Sequence, residues 1–367
     1  MRFRSMGKER DEVAGSDPAP TGAAQGVIGL AELERLTKET FDLWDEVRVG
    51  FSWRSYYMNH TLRVRANALA IGALEGADPA VLAYAATLHD ITKRYDGPFK
   101  VDQNGRRVVN KDGLWVNEPL MPKRANRVTE LYDEMNLYYQ VHHESGAAIA
   151  QRLLTDGGHS PQFAQQVAHV IRGHLRPINP PWRLGSAEDP YGDPESCVLY
   201  DADTIDANLG AVAFYRHVQI HGYREIREKG AFDPVRYVDA VGEWVARKQE
   251  FVSSRISETA KAVAADRYET DRTIHKWLEE ERRSEASIRI AREYGLMGLV
   301  QFFLQHADDP DMNAELDAVE RFWLPERRRK VAADEAPAGA AEALHRVERL
   351  VAAFRAEMEG RIGERLQ

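Results

Sequence analysis

Apolar residues recur every three or four positions from about Ile28 to the end of the chain. This is the spacing of one face of an α-helix, so the pattern predicts a protein built almost entirely from helices. Glycine and proline mark where one helix ends and the next begins, as at Gly76 and Asp78-Pro79. The predicted helices, in order, are 29–48, 54–75, 78–94, 124–137, 140–155, 160–175, 197–221, 251–284 and 286–304.

Two stretches lack the helical spacing. Residues 95–122 contain short β-like runs on either side of Asn104-Gly105, a dipeptide that is typical of a tight hairpin turn. Residues 176–196 contain five prolines, which favour a loop. The sequence therefore predicts an all-α fold that carries a small β-hairpin insertion at 95–122.

The chain divides into three predicted regions. Residues 1–27 have the composition of a disordered tail and lack the apolar stretch of a signal peptide. Residues 28–230 are expected to form the main helical domain, and 231–367 an additional helical C-terminal region. Segment 286–304 is so rich in apolar residues that it must be buried. We expect it to pack on the main body or to form a homo-oligomer through the C-terminal helices.

Composition narrows the classes of function. The chain has 367 residues and a formal net charge of −9, from 49 Lys plus Arg against 58 Asp plus Glu, which argues against nucleic-acid binding. It does not exclude a small phosphorylated substrate, because a metal ion and a few local cations can reverse the field inside a pocket. The single cysteine, Cys197, excludes a disulfide within the chain and a cysteine-based zinc site. No apolar stretch is long enough to cross a membrane, so we expect a cytoplasmic protein.

Histidine and aspartate stand out at three places in this helical pattern. His60 shares a helix face with apolar residues, and His89-Asp90 ends the apolar helix that begins near Ala80. Asp201, Asp203 and Asp206 lie inside another apolar helix. Burying carboxylates without partners costs several kcal/mol, so the cluster requires a metal ion or a hydrogen-bond network. Imidazole and carboxylate donors suit divalent Mn, Fe, Ni, Co or Zn.

Three motifs resemble those of one known family. They are Asn59-His-Thr-Leu-Arg-Val, then Ala85-Ala-Thr-Leu-His-Asp-Ile-Thr-Lys, and then Leu199-Tyr-Asp-Ala-Asp-Thr-Ile-Asp-Ala. Their order is similar to that in the HD-domain superfamily of metal-dependent phosphohydrolases, and in particular to its bacterial subgroup with a helical C-terminal tail. The resemblance covers roughly 40–285, with Thr92 where glycine is commoner. It implies an HD-domain helical bundle.

The resemblance also implies a set of metal ligands. His60, His89, Asp90 and Asp203 occupy the ligand positions, and Asp203 is preferred to Asp201 because the last ligand usually follows a small residue. Two-metal members of the superfamily add two histidines. His142 and His174 fit these positions best here, with His143 and His169 as the alternatives. The implied cofactor is a divalent ion (Mn, Fe, Ni, Co, Mg or Zn), at one site or at two.

The implied reaction is hydrolysis of a phosphoester or phosphoanhydride by metal-activated water, with a nucleotide as the leading small phosphorylated substrate. Asp90 and Lys93 are the expected catalytic residues, and Lys93, Lys123 and Arg124 are the candidates for binding substrate phosphate. The alternative is that these cationic side chains lie on the surface, solvated, and bind no substrate. The insertion at 95–122 is expected to cover the pocket and select the substrate. An HD-type di-iron oxygenase and a non-catalytic nucleotide-binding module remain as alternatives.

Overall fold

The computed structural model describes residues 26–49, 52–110, 113–177 and 180–363. All but the last two residues of the predicted disordered tail, 1–27, lie outside the described residues. Helices make up most of the described chain, and the strands within it form two short antiparallel pairs. The all-α fold class with a small β insertion is therefore confirmed. No helix among the described residues is long and apolar enough to cross a membrane.

The helices up to residue 208 surround one apolar core. Leu33, Val64, Leu88, Ile149 and Leu199 are among its fully buried members. The helices are α1 Leu30–Phe41, α2 Arg54–Glu75, α3 Pro79–Leu88, α4 Arg127–Glu134, α5 His142–Asp156, α6 Pro161–Gly173 and α7 Pro194–Asn208. The bounds of α2 match those predicted. Helix α1 is shorter than predicted: it ends at Phe41, and residues 48–49 form a strand instead.

The strands lie in two places. Arg48–Val49 (β1) pairs with Ser52–Trp53 (β2) directly before α2. In the insertion, Asp96–Phe99 (β3) pairs with Asn117–Pro119 (β4). The chain between β3 and β4 folds back at the predicted Asn104-Gly105 turn, where Gly105 has a φ of +73° that favours glycine.

The helices after residue 210 surround a second apolar core. Phe214, Val241, Ile274, Phe303 and Phe354 are fully buried there. The helices are α8 Ala211–Lys229, α9 Pro234–Ser253, α10 Glu258–Glu281, α11 Glu285–Tyr294, α12 Leu296–Phe303, α13 Met312–Ala318, α14 Leu324–Ala332 and α15 Ala340–Met358. The region boundary expected near residue 230 stays a prediction, although α8 shares its core with the later helices.

Three later predicted helices are also wrong, because each is shorter or divided. The predicted helix 197–221 breaks at Gly210, 251–284 begins only at Glu258, and 286–304 divides at Gly295. Gly210 has a φ of +94°, which ends α7 and permits the turn into α8.

At each of these breaks a buried carboxylate accepts hydrogen bonds from free backbone N–H groups at the start of the next helix. Glu357 accepts from Ala211 and Val212 (2.8 and 3.0 Å). Asp201 accepts from Ile256 and Ser257 (3.0 and 2.9 Å), and Glu281 from Leu296 and Met297 (2.7 and 3.0 Å). These partners are distant along the chain, so the apolar spacing carries no sign of them.

The apolar surface of segment 286–304 is buried within the same chain. Leu296, Leu299, Val300 and Phe303 belong to the second core together with residues of α8, α9 and α15. This packing confirms that the segment is buried and uses much of the surface that an oligomer would need. The homo-oligomer stays a prediction.

Glu281 gives the second core a pH-dependent stability. Burial raises the pKa of Glu281 from 4.5 to about 7, against the effect of its backbone hydrogen bonds. The folded protein therefore keeps a proton that the unfolded chain loses between these two values, so this group's contribution to stability falls as pH rises through that window. We expect Glu281→Gln to reduce the loss in free energy of unfolding between about pH 5 and about pH 7.5, measured by urea denaturation. Glu269→Gln, an exposed position on the same helix, is the control, and equal pH slopes in the two variants would contradict the assignment.

Candidate metal centre

Six side chains that the sequence analysis singled out meet at one place in the first core. His60 lies in the middle of α2 and Asp203 in α7, which packs against α2. The others follow or begin helices: His89 and Asp90 follow α3, His142 starts α5, and His174 follows α6. Five of the six are buried, and the side chain of Asp203 keeps 22% of its surface exposed. Helix packing thus brings together residues that are up to 143 positions apart, from His60 to Asp203.

Four of these side chains form a first group. His60 Nε2 lies 2.9 Å from Asp203 Oδ1 and 3.8 Å from Asp90 Oδ2. His89 Nε2 lies 3.7 Å from Asp90 Oδ2 and 3.9 Å from Asp203 Oδ1. Two nitrogen and two oxygen atoms therefore face one small space, and His60, His89 and Asp90 have the spacing of metal ligands.

The other oxygen of Asp90 faces a second group. Asp90 Oδ1 lies 3.4 Å from His142 Nε2 and 3.7 Å from His174 Nε2. The two histidine nitrogens are 3.3 Å apart, and these three residues also have the spacing of metal ligands. Asp90 consequently joins two adjacent groups of donor atoms.

The ring orientation of each histidine is fixed by a hydrogen bond at its other nitrogen. In all four cases Nδ1 has the partner and Nε2 is left to face the cluster: His89 with the carbonyl oxygen of Ala86 (2.7 Å), His174 with that of Ile171 (2.6 Å), His60 with Asp206 (2.7 Å) and His142 with Asp96 (2.6 Å). A histidine held in this way presents the lone pair of Nε2 as a ligand.

The ionisation of the cluster suits a cation. Burial lowers the pKa of His89, and it lowers the pKa of His174 to about 3, so both rings are neutral at pH 7. Burial would raise the pKa of Asp90, but Lys93 and the nearby histidines hold it well below its usual value. Asp203 behaves in the same way, with a pKa of about 2 set against burial by its hydrogen bond to His60. Two carboxylates therefore stay charged beside the neutral rings of His89 and His174. Burial would also lower the pKa of His60, but Tyr56 and the hydrogen bonds to Asp203 and Asp206 outweigh it and raise that pKa well above its usual value.

His89 provides a direct test of whether a metal ion fits. Its Nε2 atom is buried and has no hydrogen-bond partner among the described residues. A buried polar atom without a partner costs free energy, and a cation bound among His60, His89, Asp90 and Asp203 would supply that partner. The donor set of nitrogen and oxygen fits Mn, Fe, Co, Ni or Zn, and its carboxylates also accept Mg.

Asp206 and Arg63 support the first group from behind. Arg63 Nε and Nη2 donate to the two oxygens of Asp206 at 2.8 and 3.0 Å, and one of these oxygens also contacts His60. Sequence reasoning placed Asp206 on the face of Asp203 but missed Arg63. The signal was available, because Arg63 is three residues after His60 and so lies on the same helix face.

Thr92 and Asp96 tie the second group to its surroundings. The Thr92 hydroxyl bonds to the carbonyl oxygen of His142 (3.1 Å) and to the Ser145 hydroxyl (2.8 Å). This use of the side chain accounts for a threonine where the family more often has glycine. Asp96 begins β3 and contacts His142, so the insertion touches the cluster directly. Sequence reasoning missed Asp96 because it lies in an irregular segment.

The remaining candidates fall in different places. Lys93 Nζ lies 2.9 Å from His142 Nε2 and 3.9 Å from Asp90 Oδ1, so it belongs to the cluster. Lys123 and Arg124 lie on the surface, each 3.7 Å from a carboxylate oxygen of Asp45, with 74% and 58% of their side chains exposed. The structure does not bring these two residues to the cluster.

The positions that sequence reasoning ranked second also lie elsewhere. Asp201 points to the start of α10, as described above, and His169 is a partly exposed residue paired with Asp193 at 2.9 Å. His143 is buried next to the cluster, with its ring centroid 6.1 Å from that of His142.

Comparison with known proteins gives a family match over the part of the chain that forms this centre. The family model for the HD domain matches residues 57–208, the part of the chain that contains all six clustered residues. A search of curated proteins gives no match.

Two solved structures resemble the chain at low identity. One is a predicted HD superfamily hydrolase from an uncultured Thermotogales bacterium, with 22% identity, coverage of 68% of this chain and 92% of the other, and a TM-score of 0.37. The other is Bacillus subtilis YpgQ, solved in complex with ADP, with 19% identity, coverage of 70% and 99%, and a TM-score of 0.36.

The ion pair behind His60 generates a stability prediction. Asp206→Ala would leave the buried Arg63 guanidinium without its carboxylate, so we expect the free energy of unfolding to fall by about 3–5 kcal/mol in urea denaturation. Asp156→Ala is the matched control, because Asp156 pairs with Arg152 at the surface, where both side chains are more than 40% exposed. The control should lose less than about 1 kcal/mol. Similar losses in the two variants would show that the buried ion pair contributes no more to the free energy of unfolding than the surface pair does.

Proposed function

We propose that this chain, in which residues 57–208 match the HD-domain family model, is a metal-dependent phosphohydrolase that cleaves a phosphoester or phosphoanhydride of a small metabolite at the cluster described above. The observation that carries this proposal is the position of Asp90, with one oxygen in each of two groups of donor atoms. A carboxylate shared in this way is suited to a centre that holds the two sides of a phosphoryl group.

The residues that would hold the cations follow from the two groups. We assign a first divalent cation to His60, His89, Asp90 and Asp203, and a second to Asp90, His142 and His174. Bound there, a divalent cation polarises a phosphoryl oxygen and lowers the pKa of a coordinated water from about 15.7 toward 7. Asp206 and Asp96 keep His60 and His142 oriented through their Nδ1 atoms.

Lys93 and Asp90 have separate roles in the proposed reaction. The side chain of Lys93 is 30% exposed and can turn from His142 toward the phosphoryl group, where its ammonium would donate hydrogen bonds to the phosphoryl oxygens. Asp90 accepts a hydrogen bond from the attacking water and orients it. The low pKa of Asp90 keeps the carboxylate ionised for this purpose at neutral pH.

A nucleotide is the substrate class that we propose to test first. The support is the resemblance of this chain to helical-tail members of the superfamily, which act on nucleotides, and this is an argument by analogy. Phosphate release from a panel of nucleoside mono-, di- and triphosphates and of non-nucleotide phosphomonoesters, with each divalent metal in turn, tests it. Release from the phosphomonoesters alone would overturn the nucleotide class and keep the hydrolase.

Metal content tests the assignment of the two groups. We expect about two cations per chain in the wild type, about one in His174→Ala, and none in Asp90→Ala, which loses a ligand from both groups. His89→Ala and Asp90→Ala should also abolish turnover while the helical circular dichroism signal remains. Elemental analysis of the purified variants measures the content.

The control is His169→Ala, which removes a partly exposed histidine near the end of the helix that His174 follows. It should keep the wild-type metal content. Full activity in His89→Ala or Asp90→Ala would overturn the assignment of the site. One cation per wild-type chain would instead leave the second position to the ammonium group of Lys93.

Lys93 can be tested apart from the metal ligands. We expect Lys93→Met to lower kcat about 100-fold with unchanged metal content, because a donor to the developing phosphoryl charge is lost. Lys229→Met, at an exposed position paired with Glu225, is the control. A normal kcat in Lys93→Met would exclude the proposed role of Lys93.

Steady-state kinetics of Lys123→Met tests the predicted phosphate contact of Lys123. An unchanged KM would exclude that contact.

A further inference from the structure

An aromatic groove of about 800 Å³ opens beside the second group of donor atoms. Four segments form its walls: the insertion at Asn110 and Leu114, the chain entering α5 at Tyr139 to Glu144, the end of α6 at Arg172, and the proline-rich loop around Trp182 and Tyr191. We call this space the groove. Its size is within the usual range for small-molecule sites, about 300–1,000 Å³.

His143 connects the groove to the metal centre. It lines the groove, and its ring centroid lies 6.1 Å from that of His142 and 6.3 Å from that of His174. It is only 3% exposed, and its Nδ1 atom has no hydrogen-bond partner among the described residues. His143 therefore lies between the groove and the second group of donor atoms, and its buried Nδ1 atom lacks the polar partner that such an atom normally has.

Two aromatic residues of the groove have energetically unfavourable features. Tyr139 is 62% exposed although its φ is +68°, a left-handed conformation that a bulky side chain rarely adopts. The indole nitrogen of Trp182 is buried and has no hydrogen-bond partner among the described residues. Both features cost free energy in the isolated protein, and such costs concentrate where a ligand binds.

A buried ion pair holds part of the proline-rich wall together. Arg176 and Asp189 lie 3.1 Å apart, and Arg176 also donates to the carbonyl oxygen of Tyr191 at 2.8 Å. Asp189 in turn accepts hydrogen bonds from the backbone N–H groups of Gly185 and Tyr191. These contacts order the wall at Tyr191, which lowers the conformational entropy that a ligand bound there would have to remove.

The charge of the groove favours an uncharged planar ligand. Its charged lining residues, Glu144 and Arg172, pair with each other at 3.1 Å, so neither is left to neutralise an anion. The ammonium group of Lys93, which could attract phosphate, lies at the metal centre instead. Phosphate is thus attracted to the centre, while the groove offers aromatic surface with polar atoms at its edge.

We propose that the groove binds the nucleobase of the substrate, with the base stacking on Trp182 and its polar edge meeting Gln140 and His143. This inference rests on the proposed function, because it assumes that the phosphate of the same molecule occupies the metal centre. Every base has a π-face, so stacking favours nucleotides over other phosphorylated metabolites, and polar contacts at the edge distinguish among bases.

Binding of non-hydrolysable ligands tests the groove. The probes are phosphonate analogues of the four ribonucleoside 5′-monophosphates and of ribose 5-phosphate, titrated calorimetrically into the metal-loaded protein. We expect at least one nucleotide analogue to bind about tenfold more tightly than the ribose analogue. Trp182→Leu should raise the Kd of that nucleotide analogue about tenfold and leave the Kd of the ribose analogue unchanged.

A second variant guards against damage to the loop. Tyr139→Gly removes the ring at a backbone position that glycine adopts without strain, and it should weaken the nucleotide analogue selectively as well. Phe322→Leu, which removes an exposed aromatic ring from the C-terminal region, is the control and should bind both probes as the wild type does.

The possible results separate the groove from the reaction. A base preference without phosphate release from nucleotides would support the groove and overturn the proposed hydrolysis of nucleotides. Phosphate release without any base preference would overturn the groove and leave the hydrolase. The groove is also overturned if no nucleotide analogue binds more tightly than the ribose analogue, or if Trp182→Leu and Tyr139→Gly both leave the preference intact.

Discussion

A carboxylate that is buried among helices needs a hydrogen-bond donor or a cation, because burial removes the water that stabilises its charge. This protein meets the requirement in three ways. Glu357, Asp201 and Glu281 accept hydrogen bonds from the starts of helices, and Asp206 pairs with Arg63. Asp90 and Asp203 face histidine nitrogens across spaces that suit a metal ion. One physical constraint therefore accounts both for the helix breaks and for the proposed chemistry.

The two cores depend on each other through these carboxylates. Asp201 lies in α7, two residues before Asp203, yet its oxygens hold the start of α10. Glu357 lies near the end of α15 and holds the start of α8, directly after α7. The helix that carries Asp203 is thus held by the C-terminal region at Asp201 and at the turn that follows its last residue. That region supports the metal centre without contributing a residue to it.

The sequence allowed the helical class, the bounds of α2 and all six clustered residues to be predicted. Periodicity and spacing are local properties, and the motifs around His60, His89 and Asp203 are local as well. The breaks at Gly210 and Gly295 could not be predicted, because the carboxylates that stabilise them are distant in sequence. Glu357 is 146 residues from the backbone N–H group that donates to it, and Glu281 is 15 residues from its donor. Likewise, nothing local shows that Lys123 and Arg124 pair with Asp45 at the surface.

The position of Glu357 also bears on how the protein is made. Synthesis proceeds from the N-terminus, so α7 and α8 leave the ribosome well before the glutamate that accepts the N–H groups of Ala211 and Val212. Until then the corner after Asp203 has two backbone donors without their native acceptor, and helix α8 has no partner in α15. The first core can assemble early, whereas the corner beside Asp203 reaches its native form only after α15 has been translated. Completion of the backbone next to the metal centre is consequently linked in time to the synthesis of a helix more than 130 residues further along the chain.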